Sequence, residues 1–155
     1  MKTQVRYLIV LFLIPLAFSA CKPKVVPLLE RIRKEWTANI VKEGATEVYR
    51  KGAASNVKPG YSNFKLDMKD QAAQNVRLTE VDGAGTTYVF VGTWELSADE
   101  KTLTLRNLNP QPTGTNGIIE FTINGEVTGT QLNLTRKSAS LKTGGTTNDY
   151  QLIAP

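Results

Sequence analysis

Cys21 is the only cysteine in a chain of 155 residues. Because a lone cysteine cannot close an internal disulfide, it could serve as a nucleophile, a metal ligand, a buried apolar residue or an attachment point. The chain contains no histidine, which removes the commonest general base and the commonest metal ligand. The composition therefore predicts neither a metal site nor a bound cofactor.

Two short motifs match parts of a hydrolase signature. Ser62 to Lys65 fits S-x-x-K and Lys142 to Gly144 fits K-T-G, two elements found in serine penicillin-recognising enzymes. The first element requires a helix start, so that the lysine lies one turn from the serine, yet here it opens a stretch that alternates like a strand. The S-D-N element is missing, so we expect no catalytic residues and no enzymatic activity.

Carboxylates are the other group that could do chemistry, since a suitably spaced pair can hydrolyse a glycoside. The acids of the alternating segments are predicted to lie mostly on polar, solvated faces; they are Asp67, Glu80, Glu95, Glu120 and Glu126. The 19 basic and 14 acidic residues give a net charge of +5 and are dispersed along the chain. This distribution does not predict a nucleic-acid partner.

The first twenty residues have the pattern of an export signal. Lys2 and Arg6 precede an apolar run from Tyr7 to Phe18, which is followed by the small residues Ser19 and Ala20. The apolar run is shorter than the roughly twenty residues that a membrane-spanning helix needs. We therefore predict a lipoprotein signal peptide over residues 1–20, and a retained membrane anchor is the alternative.

Residues 18–21, Phe-Ser-Ala-Cys, resemble the bacterial lipobox. The resemblance implies cleavage before Cys21 and attachment of a diacylglyceryl group to its thiol, so the membrane is the expected partner at this residue. Several acyl chains on one residue would hold the protein stably, because each buried methylene contributes about 0.8 kcal/mol. The alternative is an ordinary secretory signal in which Cys21 is incidental.

Residues 21–27 are predicted to form a short tether, because Pro23 and Pro27 favour extended backbone. Lys22 and Lys24 of this tether could approach anionic lipid head groups. Some bacterial surface lipoproteins resemble one another in an acidic stretch just after the cysteine. Because no such stretch follows Cys21, the comparison implies a lipid anchor in the outer membrane of the bacterial cell envelope, facing the periplasm. The next segment, Leu28 to Trp36, has helical apolar spacing. It predicts a helix of about two turns that caps the fold or, alternatively, lies at the membrane interface.

From Trp36 onward the apolar residues recur every second position, as in half-buried strands. The predicted inward faces are Trp36-Ala38-Ile40, Phe64-Leu66-Met68, Val76-Leu78, alternate residues from Tyr88 to Leu96, Leu103-Leu105, Ile119-Phe121-Ile123, Leu132-Leu134 and Tyr150-Leu152, with a further short strand near Glu47 to Arg50. Short turns such as Asn124-Gly125 join these runs, which favours antiparallel neighbours. Residues 28–155 are therefore predicted to form one all-β domain, an antiparallel up-and-down β-barrel of about eight strands with a short N-terminal helix.

The segment Gly92 to Ser97, followed by Lys101 to Leu105, reads as "GTWELS…KTLTL". Together with Ile32 to Trp36 upstream, and with Phe121 to Ile123 and Gly129 to Leu134 downstream, it resembles the lipocalin-like domains of Bacteroidota lipoproteins. The resemblance spans roughly Leu28 to Ile153 and implies an up-and-down barrel without a set of catalytic residues.

Six aromatic residues are candidates to line a binding interior: Trp36, Phe64, Tyr88, Phe90, Trp94 and Phe121. A barrel of eight strands either fills with side chains or holds one small ligand, so plain core packing is the alternative. We expect a lipid-anchored envelope protein whose barrel binds a small hydrophobic ligand. The alternative function is a non-catalytic accessory module that contacts another protein of an envelope complex.

Overall fold

A computed structural model describes residues 26–70, 73–82 and 84–155 of the chain. One short helix, α1, precedes nine strands in chain order. The elements are α1 (Leu28–Ile32), β1 (Glu35–Glu43), β2 (Thr46–Arg50), β3 (Lys65–Asp67), β4 (Asn75–Val81), β5 (Thr87–Leu96), β6 (Thr102–Asn109), β7 (Ile119–Ile123), β8 (Gln131–Arg136) and β9 (Asn148–Ile153).

The strands form a closed antiparallel barrel. From β3 to β9 each strand pairs with the next one in the chain, and β9 pairs back onto β1. The other edge of β1 is shared, because β3 covers its first residues, Glu35 to Thr37, and β2 covers its last residues, Ile40 to Glu43. The barrel is therefore eight strands around, with β2 and β3 placed end to end and counting as one strand. This arrangement confirms the predicted fold class.

The antiparallel pairing places the connections at two ends of the barrel. The helix end carries α1 and the connections that follow β3, β5 and β7. The loop end carries the connections that follow β1, β4, β6 and β8, at residues 44–45, 82–86, 110–118 and 137–147. These two ends differ in the side chains that they enclose.

Helix α1 is shorter than predicted, since Glu35 and Trp36 belong to β1. The Trp36 Nε1–H donates to the carbonyl oxygen of Ile32 at 2.9 Å, and the Lys34 N–H donates to the same oxygen at 2.8 Å. These bonds satisfy a carbonyl that the end of the helix leaves without an intrahelical partner. Leu28 and Ile32 are buried against the barrel core, in the capping position.

Two of the three register shifts in the described sheet change which residues of β1 and β6 face inward. The pairing of β1 with β9 shifts between Ala38 and Ile40, so that Val41 is fully buried while Ile40, predicted to face inward, is only partly buried. A second shift in the pairing of β5 with β6 accompanies a positive φ of 55° at Asn107. It turns Leu108 into the core at 1% exposure. A bulge moves one residue out of the period of two, so alternation alone does not reveal it.

The connection between β2 and β3, residues 51–64, is longer than predicted and contains a 3-10 helix, Pro59–Asn63. The Lys58 N–H donates to the Val48 carbonyl oxygen at 2.9 Å, and the Tyr61 ring is buried at 3% exposure. The segment thereby covers the edge of β2 and adds an aromatic ring to the barrel interior.

The predicted signal peptide, Cys21 and the tether as far as residue 25 lie outside the described residues. Within the described part of the chain, no helix has the length and apolar character required to cross a membrane.

Candidate functional site

Five of the six aromatic residues predicted to line the interior are packed in the core. Trp36 is fully buried, and Phe64, Phe90, Trp94 and Phe121 are at most 2% exposed. The Phe64 ring stacks on Tyr150 with centroids 4.8 Å apart, and the Phe121 ring meets Tyr150 edge-on at 6.1 Å. These rings are therefore enclosed by neighbouring side chains, as in a packed interior.

Tyr88 has a different environment from the other five aromatic residues. It is 38% exposed, because it lies at the start of β5, beside the turn that joins β4 and β5 at the loop end. Its hydroxyl donates to Asp82 Oδ2 at 3.1 Å. Tyr88 therefore lies at the rim of the barrel, where a molecule arriving from solvent can contact it.

A buried ion pair lies just inside this rim. Arg136 Nη1 is 3.0 Å from Glu80 Oε1, and the two side chains are only 3% and 7% exposed. The prediction that the acids of the strands lie on solvated faces is therefore wrong for Glu80, although Glu95, Glu120 and Glu126 are exposed as expected. A buried charge requires such a partner, because burying it alone would be far more costly.

The alternating pattern contained the signal for both charges. Glu80 has the same parity along β4 as the inward-facing Val76 and Leu78. Arg136 has the same parity along β8 as Leu132 and Leu134. A charged residue at an inward-facing position of the alternating pattern indicates either the end of the strand or a buried charge. Here both charges are buried.

The third charged residue of this end is Lys142, in the 3-10 turn Leu141–Thr143 between β8 and β9. Its Nζ lies 3.6 Å from the ring centroid of Tyr88 and 4.3 Å from that of Phe90. The nitrogen is buried and has no hydrogen-bond partner among the residues that the structure describes. We call Glu80, Arg136 and Lys142, with the rings of Tyr88 and Phe90, the loop-end cluster.

Hydrogen bonds on both sides of Lys142 hold its turn in place. Thr143 Oγ1 donates to the Ser140 carbonyl oxygen at 3.2 Å and lies 3.1 Å from Asn148 Oδ1. The Ser140 N–H donates to the Thr146 carbonyl oxygen at 2.9 Å, and Gly144 takes the left-handed conformation that ends the turn, with φ of 76°. The K-T-G motif therefore builds a turn, and its threonine is occupied in that turn.

A second buried carboxylate of the loop end, that of Glu43, is fully partnered. Its side chain is 8% exposed, pairs with Lys58 and accepts a 2.7 Å hydrogen bond from the Tyr61 hydroxyl. The enclosed acids Glu43 and Glu80 are thus matched by Lys58 and Arg136. The positive charge of Lys142 is left over at this end of the described interior.

Burial shifts the titration of the loop-end cluster. It raises the pKa of Glu80, and the positive charges of Arg136 and Lys142 partly oppose that rise. Burial also lowers the pKa of Lys142, against the attraction of Glu80 and Asp82. In both residues the enclosed site disfavours the charged form. An additional negative group near Lys142 would therefore stabilise the charged form of the lysine.

The remaining candidate residues do not assemble a reaction centre. Ser62 is exposed on the 3-10 helix, and Lys65 Nζ lies 3.7 Å from Glu35 Oε1. Within the described ranges, no group of three or more Asp, Glu, Cys or His side chains is placed to hold a metal ion.

A groove of about 600 Å³ also opens on the outer surface, beside the bulge between β5 and β6. Its lining is mixed, with Asp67, Asn75 and Arg77 beside the half-exposed Val91 and the backbone of Gly92. A Cβ at Gly92 would lie 2.3 Å from the Arg106 carbonyl oxygen, so glycine is required where the two strands approach this closely.

No protein-family model matches the sequence, and no curated protein matches it either. Two solved structures are similar to this chain in fold. A lipocalin-like protein from Bacteroides uniformis ATCC 8492 is 12% identical, with a TM-score of 0.46 over 81% of this chain and 99% of that one. An uncharacterized protein from Bacteroides eggerthii DSM 20697 is 13% identical, with a TM-score of 0.44 over 79% and 98% of the two chains.

Proposed function

We propose that this chain is a lipid-anchored, non-catalytic protein of the bacterial cell envelope whose barrel binds a small, largely apolar ligand at its loop end. The observation that supports binding is the loop-end cluster, in which the buried Lys142 Nζ lies over the ring of Tyr88 at the barrel rim and over the ring of Phe90 just inside it. The rest of the interior is packed with large side chains, which favours the rim over the deep interior as the place for a ligand.

The anchor gives the barrel an orientation in this proposal. Residues 22–27 can reach about 20 Å when fully extended. Since α1 begins at Leu28 and packs on the helix end, a lipid on Cys21 would hold the helix end toward the membrane. The loop end would then face away from the bilayer, into the periplasm for a protein in the outer membrane.

The surroundings of the two hydrolase-like motifs support a binding role without catalysis. Thr143 is hydrogen-bonded within its own turn, and Lys65 is paired with Glu35. Ser62 lies in the 3-10 helix Pro59–Asn63 and Lys65 opens β3, so the two are not held one helical turn apart as a serine nucleophile and its lysine base would require.

Acyl labelling tests the anchor. Replacing Cys21 by Ser in the full chain should abolish incorporation of a fatty-acid label and move the protein to the soluble fraction, whereas Lys22→Ser should leave both unchanged. A Cys21→Ser protein that keeps the label and stays with the membrane would show that the anchor is elsewhere.

Native mass spectrometry of protein purified from its own envelope tests the ligand. Wild-type protein should carry a bound small molecule that is released on denaturation. Preparations that consistently carry nothing would reject binding and favour the accessory module.

The outer groove beside Gly92 favours that second function. It offers a half-exposed Val91 among polar side chains, a composition found at protein interfaces. If the groove receives a partner, Val91→Asp should abolish co-purification of that partner from cross-linked membranes. Tyr88→Ala, at the loop end, should leave co-purification unchanged.

A further inference from the structure

We infer that Lys142, assisted by Arg136, is a binding site for the carboxylate of a monoanionic ligand whose apolar part lies against Tyr88 and Phe90. This inference rests on the proposed function, because it specifies the ligand class of the same loop-end cluster.

The first reason is the unsatisfied hydrogen-bonding capacity of the cluster. Lys142 Nζ and Arg136 Nε are both buried and have no hydrogen-bond partner within the described ranges. An ammonium carries three donors and no acceptor, and leaving a buried donor unpaired is costly. A carboxylate oxygen would satisfy donors that the folded chain leaves open.

The second reason is the charge balance of the enclosed side chains at this end. Glu43 lies against Lys58 and Glu80 lies against Arg136, so one positive charge, that of Lys142, remains. One additional negative charge neutralises the site, which favours a carboxylate over a doubly charged phosphate. Asp82 also attracts Lys142, but its carboxylate lies partly exposed at the rim and accepts hydrogen bonds from Ala84, Thr86 and Tyr88, so it neutralises the lysine only in part.

The third reason is access. Tyr88 is 38% exposed and forms part of the rim, so its ring can be reached from outside. The lysine side chain is flexible and can rotate off the two rings while its charge stays near the rim. An apolar ligand body can then occupy the ring faces that the ammonium covers in the structure.

The test compares two probes of nearly equal shape, phenylacetate and its neutral amide, phenylacetamide. Isothermal titration calorimetry at pH 7 is performed on protein expressed from the full-length sequence. We expect phenylacetate to bind about 10- to 100-fold more tightly than phenylacetamide, as a charge-assisted hydrogen bond in a buried site requires.

The variants separate recognition from folding. Lys142→Met should weaken phenylacetate binding by about 10- to 100-fold and leave phenylacetamide binding unchanged. Lys142→Arg should keep most of the affinity. Lys137→Met is the matched control, because Lys137 is an exposed residue at the start of the same connection, and it should bind like the wild type.

Stability provides an independent readout. Since Lys142→Met removes a buried charge that lacks a described partner, its midpoint of urea unfolding should equal or exceed that of the wild type. A lower midpoint would indicate that the ammonium stabilises the rim by resting on the aromatic rings, and would overturn the inference.

The remaining outcomes distinguish this inference from the proposed function. Equal affinity for the two probes would reject carboxylate recognition while leaving apolar binding in place. If the protein carries a neutral ligand in native mass spectrometry but binds neither probe, the carboxylate site is rejected and the proposed function is not. No binding together with ligand-free native preparations would reject both.

Discussion

The two ends of the barrel interior differ in what they enclose, although the same alternation of inward and outward residues builds both. At the helix end, Trp36, Leu66, Met68 and Trp94 are at most 2% exposed and form an apolar core. At the loop end, inward positions carry Glu80, Arg136 and other polar groups. The fold thus places the buried ion pair at the loop end, where apolar residues such as Phe90, Leu108 and Ile119 are also buried.

This difference between the two ends has a clear energetic meaning. Burying apolar surface stabilises the folded state by about 25 cal/mol per Å². A buried ion pair gains little net stability, because the cost of desolvating both charges offsets their attraction. The buried ion pair is therefore poorly explained by stability, and ligand recognition is the function that we propose for it.

The sharpest test of the comparison uses two residues on one face of β5. Trp94→Ala should lower the free energy of unfolding by about 3–5 kcal/mol, because it opens a cavity in the apolar core of the helix end. Tyr88→Ala, six positions earlier at the loop end, should cost less than about 1 kcal/mol, since its ring is partly solvated. Urea unfolding followed by circular dichroism measures both, and similar costs would show that the two ends contribute equally.

The ion pair provides a smaller effect. Arg136→Met should destabilise the fold by about 3 kcal/mol, because it leaves the Glu80 carboxylate buried without its arginine. Adding Glu80→Leu should recover part of that loss. If the double variant is less stable than Arg136→Met alone, the pair contributes to stability and the two ends of the barrel differ less in their contributions.

The pH dependence of stability should show the smallest effect. Burial raises the pKa of Glu80 above its ordinary value of 4.5, so the folded state holds a proton that the unfolded state has already released. The wild type should therefore lose stability relative to Glu80→Gln as pH rises from 4.5 through the raised pKa.

Urea unfolding at a series of pH values between about 4 and 8 measures this difference. The control is Glu120→Gln, because the Glu120 side chain is 46% exposed. Its free energy of unfolding should change with pH in the same way as that of the wild type. Parallel curves for Glu80→Gln and the wild type would mean that Arg136 keeps Glu80 ionised throughout.

Most strand positions could be predicted from the chain, because apolar residues at every second position have one favourable arrangement on a half-buried sheet. The predicted runs at Val76-Leu78, Ile119 to Ile123 and Leu132-Leu134 all lie within observed strands. Strand boundaries are harder to predict where pairing with a neighbouring strand decides between two local spacings. Trp36 fits both the helical spacing from Leu28 and the alternation that continues to Ala38, and pairing with Leu66 places it in the strand.

The candidate site was only partly predictable. The aromatic residues were identified, but their burial in a packed interior depends on contacts such as that between Phe64 and Tyr150, which are distant in sequence. The parity of Glu80 and Arg136 indicated an inward direction, but only the barrel closure shows that the two side chains meet. Lys142 lies outside any strand, so periodicity gave no information about it.

The sequence by itself determined the order of the strands, their antiparallel direction and the short connections that favour a barrel, because these follow from local periodicity and turn chemistry. The sequence also contains the pattern ending at Cys21 on which the prediction of an export signal rests. Only the tertiary structure decided where β1 and β9 close the sheet, where bulges redirect Val41 and Leu108, and which charges share the loop end. Those features depend on which residues, distant in sequence, come into contact across the barrel. A local sequence pattern does not specify these contacts.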